Sequence, residues 1–223
     1  MGKTVIILGA TGLTGSILLE KLIKDQRYET IKLISRKKIE GLPSKVQQFI
    51  GNMLELETFK EVFTGDEVFC CIGTTAKKTP NKETYKKIDF GIPVTAAKLS
   101  KENNISTFIV ISAMGANAKS NIFYNRTKGE MEQEVLQQNI PNTYILQPSI
   151  IGGNRNENRI GEKIGLAVFK LIQPLFIGNL KKYRIINAET IAQAMLNLAN
   201  SKVSKEKIIT SDYIKEISKT TNN

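Results

Sequence analysis

The amino-acid sequence predicts an α/β protein with one doubly wound parallel sheet, helices on both faces of that sheet and a small C-terminal cap. The first observation is an alternation, in which short runs rich in β-branched residues are followed by longer stretches with apolar residues at helical spacing. This order is typical of parallel β-α-β units. The second observation is the first run, residues 4–8, which is almost continuously apolar. We expect such a strand to be buried on both faces, as in the middle of a parallel sheet.

The elements are predicted in the following order. The strands cover residues 4–8, 30–35, 45–50, 67–72, 107–111, 143–146 and 207–210. The helices cover residues 13–24, 56–63, 122–138, 164–172, 188–199 and 213–218, and a further long one lies within 82–103. That long helix is interrupted or started near Pro93, because proline lacks the amide hydrogen that a helix interior needs.

The whole chain, residues 1–223, is expected to form one domain. The pattern changes after Pro148, where residues 152–162 are polar and are interpreted as a loop. No Pro- or Ser-rich linker, repeat or low-complexity segment separates the last quarter from the rest. We therefore expect residues from about 150 to 223 to form a small cap built onto the sheet rather than a second domain.

The residue types that are rare in this chain exclude several kinds of chemistry. Histidine is absent, which excludes Ser-His-Asp and Cys-His catalysis and any His-ligated metal site. The two cysteines, Cys70 and Cys71, are neighbours in an apolar run. In a strand their side chains point to opposite faces, so we do not expect a disulfide between them. We interpret them as small buried side chains in a reduced compartment, and we expect no bound metal.

Composition and charge limit the kinds of partner that the protein is expected to have. Hydrophobic residues are 41% and charged residues 24% of the chain, as in ordinary globular proteins. No apolar segment approaches the roughly 20 residues that span a bilayer, and no basic leader precedes the first strand. We therefore expect a cytoplasmic protein without a membrane partner. The net charge of +11 is split between the two ends, and only six of the 32 basic residues are Arg, so we do not expect nucleic-acid binding.

A glycine-rich turn between the first strand and the first helix has the spacing GxxGxxG. Gly9 permits a tight turn, Gly12 lets the backbone approach a pyrophosphate, and Gly15 lets the helix pack closely on the sheet. The start of the helix presents free N–H groups and the positive end of its dipole to an anion. The residues expected to bind the phosphates of a dinucleotide are Gly9, Thr11, Gly12, Leu13, Thr14 and Gly15.

The end of the second strand indicates which dinucleotide is bound. NAD sites usually place Asp or Glu there to bind the ribose 2′-hydroxyl, whereas this chain has Ser35, Arg36, Lys37 and Lys38. Arg36, with Lys37 beside it, could hold a 2′-phosphate through several donors. The sequence therefore favours NADP(H), and the alternative is that these basic residues are only solvated surface charge.

A tyrosine and a lysine lie four residues apart on the predicted helix 122–138. This spacing places Tyr124 and Lys128 on one helix face, about one turn apart. The ammonium of Lys128 can stabilise the phenolate, so that Tyr124 could give a proton to a carbonyl oxygen. Ser112, at the end of the fifth strand, is the candidate hydroxyl that orients this carbonyl. The alternatives are a surface Tyr–Lys pair and a strand-ending turn serine.

Five segments together resemble the short-chain dehydrogenase/reductase superfamily in its atypical, extended-like members. They are ILGATGLTG (7–15), ISRKK (34–38), CCIGTT (70–75), FYNRTKGEMEQ (123–133) and QPSIIGGNRNENRIGE (147–162). Within the superfamily the chain resembles the Tat-interactive oxidoreductase group. CCIGTT and the loop NRNENR (154–159), within the last segment, are specific to that group. The resemblance runs from residue 4 to about residue 199.

The resemblance implies a Rossmann-like fold that binds NADPH. It implies that Gly73 and Thr74 lie along the cofactor, and that Lys128 also holds the nicotinamide ribose. Further positions are implied in two groups, with Asn52 and Met53 bordering the adenine and Pro148, Ser149 and Ile150 bordering the nicotinamide. The chain departs from the superfamily after Ser112, where Ala113 stands instead of a second hydroxyl.

Two functions follow as alternatives. The first is a reductase that transfers hydride from NADPH to a small carbonyl compound, with Tyr124 as proton donor and Lys128 and Ser112 beside it. Its substrate pocket is expected from residues 116–123 and 153–183, which puts the cap on the substrate side. The second is a regulatory protein that senses NADPH and binds a protein partner with little or no catalysis. The substrate and the oligomeric state stay open.

Overall fold

Residues 2–75, 77–152, 184–200 and 205–220 are described by the structure, a computed structural model. The strands in these ranges are β1 (Lys3–Leu8), β2 (Tyr28–Ser35), β3 (Val46–Ile50), β4 (Glu67–Cys70), β5 (Thr107–Ile111), β6 (Asn142–Gln147), β7 (Ile151–Gly152), β8 (Ile186–Asn187) and β9 (Ile208–Thr210). Seven of them form one parallel sheet in the order β3-β2-β1-β4-β5-β6-β9, and β7 and β8 form a separate parallel pair. The predicted α/β fold class is thus confirmed.

The first strand is buried on both faces, as its continuous apolar run predicts. Val5 and Ile7 pack into one hydrophobic cluster and Ile6 and Leu8 into the other, and all four are fully buried. The neighbours of β1 are β2 on one side and β4 on the other, so the direction in which strands are added reverses there. In open α/β sheets ligands bind at the carboxyl ends of the strands beside such a reversal.

Helices cover both faces of the sheet. They are α1 (Leu13–Lys24), α2 (Lys82–Lys86), α3 (Ile92–Glu102), α4 (Phe123–Gln137), α5 (Ala188–Asn200) and α6 (Ser211–Ile217). The apolar sides of α1 and α5 pack in the cluster that contains Val5, and those of α3 and α4 in the cluster that contains Ile6. This arrangement places the start of α1 and the inner side of α4 on opposite faces of the same central strands.

One predicted helix differs from the structure, and another is interrupted where Pro93 predicts. The predicted helix 56–63 is replaced by a 3-10 segment, Met53–Phe59, which is kinked at Glu55 (φ −116°, ψ 42°). The helical stretch predicted within residues 82–103 consists of α2, a π turn at Lys87–Gly91 and α3. Pro93 stands at the start of α3, and because it has no N–H it cannot continue the regular hydrogen-bond pattern from the preceding turn.

The C-terminal quarter contributes to the main sheet where it is described. Strand β9 pairs with β6, and α5 packs against α1. The β7–β8 pair was not predicted, since two-residue strands leave no periodicity to detect. The predicted helix 164–172, most of the loop 152–162 and the substrate segment 153–183 lie outside the described residues. A cap formed by residues 150–223 therefore stays a prediction.

Candidate functional site

Two of the three glycines in the β1–α1 turn are required by the fold itself. Gly9 has a φ of +84°, and a Cβ there would lie 2.9 Å from the carbonyl group of Cys71. A Cβ on Gly15 would lie 2.1 Å from the carbonyl oxygen of Gly9. Either contact would force the backbone apart. These two glycines therefore allow the turn after β1 to pack closely on Cys71, just after β4, and the first turn of α1 to pack closely on Gly9.

Gly12 is less crowded than Gly9 and Gly15, because a Cβ there would not come within 3.0 Å of another atom. A Cβ there would meet only the Gly9 carbonyl oxygen, at 3.3 Å, and both Thr11 and Gly12 are exposed. Gly12 is the residue before α1, and the first turn of α1 contains no acidic side chain that would compete for its N–H groups. Leu13 is half-buried and Thr14 is buried behind the turn. An open backbone at a helix start, backed by apolar packing, fits the pyrophosphate of a dinucleotide.

The basic residues after β2 lie at the sheet edge next to this turn. Arg36 and Lys37 are exposed, and the hydroxyl of Ser35 donates to the Lys37 carbonyl at 2.8 Å, which holds the local bend. Among the described residues, no hydrogen bond or ion pair engages the guanidinium of Arg36. Its donors are therefore available to an anion from solution.

The residues that follow β3 are engaged within the protein. The side chain of Asn52 accepts from the Leu54 N–H at 3.1 Å and donates to the Glu55 carboxylate at 3.0 Å. Met53 is only 5% exposed and packs in the core. Contact of Asn52 and Met53 with an adenine stays a prediction, and the structure gives their side chains capping and packing roles.

The end of β4 brings the two halves of the candidate site together. Gly73 is exposed, and a Cβ there would lie 3.7 Å from an Asp89 carboxylate oxygen and 3.9 Å from Nζ of Lys128. The N–H of Thr74 donates to Oδ2 of Asp89 at 2.8 Å. Residues 71–73 thus connect the two parts of the site. Cys71 lies beside Gly9 of the glycine turn, and Gly73 lies beside Lys128 of α4.

Lys128 is held in a buried ion pair that the sequence analysis did not predict. Its Nζ lies 2.8 Å from Oδ1 of Asp89, and the side chains are 3% and 0% exposed. The hydroxyl of Tyr85 also donates to this oxygen, at 3.3 Å. Burial disfavours the charged ammonium of Lys128, but the facing Asp89, together with Tyr124, outweighs burial and raises the pKa of Lys128.

Tyr124 lies one turn before Lys128 on the same face of α4, as predicted from their spacing. Its ring centroid is 6.0 Å from that of Tyr85. Burial, the largest influence, raises the pKa of the phenol, the charge of Lys128 lowers it and the charge of Asp89 raises it, and the net result is a raised pKa. In the described part of the chain no hydrogen-bonding group reaches the Tyr124 hydroxyl, which can therefore serve a ligand.

Ser112 is occupied by a second buried carboxylate. It follows β5, and its hydroxyl donates to Oε1 of Glu132, one turn beyond Lys128 on α4. The side-chain amide of Gln147, at the end of β6, donates to both oxygens of Glu132 at 3.0 Å. Burial raises the pKa of Glu132, while Ser112 and Gln147 oppose this. Because the Ser112 proton is directed to Glu132, its hydroxyl offers only lone pairs elsewhere; a role in orienting a carbonyl stays a prediction.

The residues after β6 differ in how far they face solvent. Pro148 is buried, and its carbonyl accepts from the Met114 N–H at 3.0 Å. The Ser149 hydroxyl donates to the Arg184 carbonyl, whereas Ile150 is 49% exposed. A border with the nicotinamide is consistent with their place at the carboxyl edge, and stays a prediction for all three.

Asp89 and Glu132 are the site residues that sequence reasoning missed. Both occupy buried positions of helical segments, Asp89 four residues after buried Tyr85 and Glu132 beside buried Met131. A carboxylate on an apolar helix face is the signal that could have found them, because a buried charge needs a partner. The described residues contain no group of acidic, cysteine or histidine side chains suited to a metal ion.

Comparison with known proteins decides the family. A family model described as NAD(P)H-binding matches residues 9–162, more than half of the chain. The chain belongs to the NAD(P)H-binding family. The matched range includes the glycine turn, Gly73, Asp89, Ser112, Tyr124 and Lys128.

Individual relatives confirm the more specific resemblance to atypical short-chain dehydrogenases/reductases. The chain is 30% identical over 211 residues to "Protein FMP52, mitochondrial" of Debaryomyces hansenii, covering 91% of this chain and 90% of that protein. It is 28% identical to Protein HTATIP2 of Rattus norvegicus, covering 87% and 80%. This NAD(P)H-binding protein is thus part of an oxidoreductase-like group that includes both relatives.

The predicted cytoplasmic location is contradicted by these relatives. The proteins from Debaryomyces hansenii, Scheffersomyces stipitis and Candida albicans all carry the word mitochondrial in their names. The prediction rested on the lack of a recognisable leader, which is weak evidence for a compartment. Separately, no helix in the described ranges is long and apolar enough to cross a bilayer.

Solved structures confirm the Rossmann-like fold. The UDP-glucose 4-epimerase of Thermotoga maritima matches with a TM-score of 0.69 at 16% identity, covering 97% of this chain and 81% of the epimerase. WbmG of Bordetella bronchiseptica, in complex with NAD, matches with a TM-score of 0.68 at 14% identity, covering 94% and 72%. At these identities the likeness concerns the fold alone.

Proposed function

We propose that the chain is an NADPH-dependent reductase of a small carbonyl compound, with Tyr124 as the proton donor. One observation carries this proposal: the phosphate-binding turn and the Tyr124–Lys128 pair meet at the same end of β4. Gly9 packs against the carbonyl of Cys71, and two residues later Gly73 leaves room beside Nζ of Lys128. A dinucleotide that starts at Gly12 and follows this edge would end beside α4.

The reaction needs one hydride and one proton. A bound NADPH would supply the hydride to the carbonyl carbon, where a C–H bond would replace the C=O π bond, and the oxidised cofactor would be NADP⁺. Tyr124 gives its hydroxyl proton to the carbonyl oxygen, so that an alcohol is formed. Lys128 stabilises the resulting phenolate, and Tyr124 recovers a proton from solvent.

The preference for NADPH over NADH rests on Arg36 and Lys37. Both are exposed at the end of β2, beside the turn, and the chain has no carboxylate there that would bind a ribose 2′-hydroxyl. A guanidinium can bind a phosphate through two parallel hydrogen bonds. In this proposal residues 1–223 form one domain, and those from about 150 onward lie on the substrate side.

A second candidate function is an NADPH-sensing protein that binds a protein partner. It is favoured by one observation, that the proton of Ser112 is directed to Glu132 and Ala113 supplies no second hydroxyl. Such a site would bind the cofactor but orient a carbonyl poorly. Both candidates require the glycine turn, so cofactor binding alone does not separate them.

The test is a panel of aldehydes and ketones incubated with NADPH and the full chain, followed by NADPH absorbance. The reductase is supported by turnover that disappears in Tyr124→Phe, with NADPH affinity retained in that variant. Turnover that is unchanged in Tyr124→Phe refutes Tyr124 as the proton donor. NADPH binding without turnover of any compound favours the sensor.

A further inference from the structure

The buried carboxylate of Asp89 is held from three directions. Its Oδ1 lies 2.8 Å from Nζ of Lys128 and accepts from the Tyr85 hydroxyl at 3.3 Å. Its Oδ2 accepts from the Thr74 N–H at 2.8 Å. With both oxygens engaged the carboxylate cannot rotate, and because Asp89 is fully buried it is not screened by water.

We propose that Asp89 is a positioning residue that fixes Lys128 at the end of β4 and keeps the Tyr124 hydroxyl in its proton-donating form. This inference rests on the proposed reductase function and specifies what keeps its proton donor protonated. A protonated tyrosine can give its proton to a carbonyl oxygen, whereas a phenolate has no proton to give. Asp89 would thus extend the pH range over which Tyr124 holds the proton that reduction needs.

The charges around Tyr124 support this role. The titratable groups near the pair are Lys128 and Glu132 on α4, Asp89 in the π turn, Tyr85 on α2 and Cys70 on β4. Lys128 alone would stabilise the phenolate of Tyr124, and the negative charge of Asp89, which is paired with Lys128, counteracts this effect. Tyr124 therefore faces the Lys128–Asp89 ion pair, whose charges nearly cancel, instead of an unpaired lysine cation.

The geometry also distinguishes positioning from simple packing. A buried lysine without a counter-ion tends to lose its proton or to turn toward water. The contact with Asp89 holds Nζ where a Cβ on Gly73 would be 3.9 Å away, at the edge that a cofactor would follow. Thr74 belongs to the same edge, so Asp89 connects that backbone to α4.

The test measures the titration of Tyr124 directly in the cofactor-free full chain, so it does not depend on turnover. The chain is labelled at tyrosine Cζ, its NMR signals are followed as pH is raised, and the Tyr124 signal is assigned by its loss in Tyr124→Phe. In Asp89→Asn we expect the Tyr124 signal to titrate at lower pH than in the wild type. Glu132→Gln is the matched control, because it also removes a buried carboxylate near Lys128 but leaves Asp89 in place, and its Tyr124 signal is expected to follow the wild type.

A second pair of variants keeps the test decisive if Asp89→Asn does not fold. Lys128→Met is expected to move the Tyr124 titration to higher pH, and Asp89→Asn/Lys128→Met to return it toward the wild type with no buried charge left unpaired. The proposal is overturned if Asp89→Asn titrates like the wild type, or if the double variant titrates like Lys128→Met. Failure of the reductase function appears separately, as absence of turnover in the carbonyl panel.

Discussion

Two clusters of similar composition, each with a lysine, a carboxylate and at least one tyrosine, lie at opposite ends of β4. At the amino end, Glu67 accepts from Lys3 at 2.6 Å and from the Tyr28 hydroxyl at 2.8 Å. At the carboxyl end, Asp89 pairs with Lys128 at 2.8 Å, and Tyr124 lies one turn away. The composition of a cluster therefore does not distinguish a structural role from a chemical one.

The difference lies in which hydroxyl is already used. Tyr28 is 1% exposed, donates to Glu67 and accepts from the Asn200 amide at 2.7 Å, so its hydrogen bonds join β2, β4 and the end of α5. Tyr124 is half-buried, and its hydroxyl has no hydrogen-bond partner among the described residues. A polar group that the fold leaves unused at a ligand-binding edge is the better sign of chemistry.

Exchanging each tyrosine for phenylalanine tests this difference most strongly. Tyr124→Phe is expected to lower turnover by roughly 10²–10⁴-fold, the usual contribution of a positioned general acid, with little change in NADPH affinity or stability. Tyr28→Phe is expected to retain turnover but to lose about 1–3 kcal/mol of unfolding free energy, because a buried carboxylate loses a donor. Steady-state rates and urea unfolding measure both.

Tyr144→Phe serves as the control for that pair, since Tyr144 packs in the cluster on the α1 side of the sheet, away from α4. It is expected to change turnover far less than Tyr124→Phe does. Equal losses of turnover in Tyr124→Phe and Tyr28→Phe would mean that the two ends of β4 do not differ in function.

A glycine just before β4 and a glycine of the β1–α1 turn sharpen the comparison. A Cβ on Gly65 would lie 2.9 Å from the Thr4 carbonyl oxygen, whereas a Cβ on Gly12 would meet only the Gly9 carbonyl oxygen, at 3.3 Å. Gly12→Val should fold but weaken NADPH binding by about 100-fold or more, because it displaces a pyrophosphate from hydrogen bonds of about 1.5–3 kcal/mol each. Gly65→Ala should lower stability and leave the affinity of the folded protein unchanged.

Calorimetric titration with NADPH and thermal unfolding separate these two outcomes. Normal NADPH binding by a folded Gly12→Val protein would make the turn purely structural, and the proposed path of the cofactor along β4 would then be wrong.

The amino-acid sequence predicts the glycine turn better than the surroundings of Tyr124 and Lys128, for a physical reason. Gly9, Gly12 and Gly15 act within one turn, so their spacing carries the whole signal. Asp89 acts on Lys128 through a contact between segments far apart in the chain, and no local spacing encodes it. The strands are predictable because burial on both faces imposes apolar runs, whereas the π turn at Lys87–Gly91 depends on how α2 and α3 pack.

Arginines at the two ends of β2 repeat the contrast. Arg27 is engaged by Asp25 at 2.6 Å, whereas Arg36 has no partner among the described residues. Arg36→Asp is expected to lower the ratio of NADPH to NADH affinity by about 10–100-fold, from the loss of charged hydrogen bonds worth about 1.5–3 kcal/mol. Lys38→Asp makes the same charge change two residues away and should alter the ratio much less. Cofactor fluorescence titrations give both affinities, and equal wild-type affinity for the two cofactors would contradict the proposed preference.

The smallest effect is expected from the carboxylate of the amino-end cluster. Burial raises the pKa of Glu67, and its hydrogen bonds from Lys3 and Tyr28 only partly oppose this. A carboxyl group whose pKa is higher in the folded state binds its proton more tightly there, so its contribution to stability is full below pH 4.5 and is lost as pH rises through the folded pKa. Glu67→Gln mimics the protonated form. In this variant the unfolding free energy should therefore decrease less steeply as pH rises than it does in the wild type.

At pH 7 the same substitution should change stability by only about 1 kcal/mol, because the lost pair with Lys3 is offset by the removal of a buried charge. Urea unfolding of wild type, Glu67→Gln and the exposed control Glu61→Gln at several pH values above 4.5 tests the slope. A wild-type slope in Glu67→Gln would show that Glu67 does not change its protonation on folding. Turnover should be unaffected in either variant, because a cluster whose hydrogen bonds are all used inside the fold has nothing left to offer a substrate.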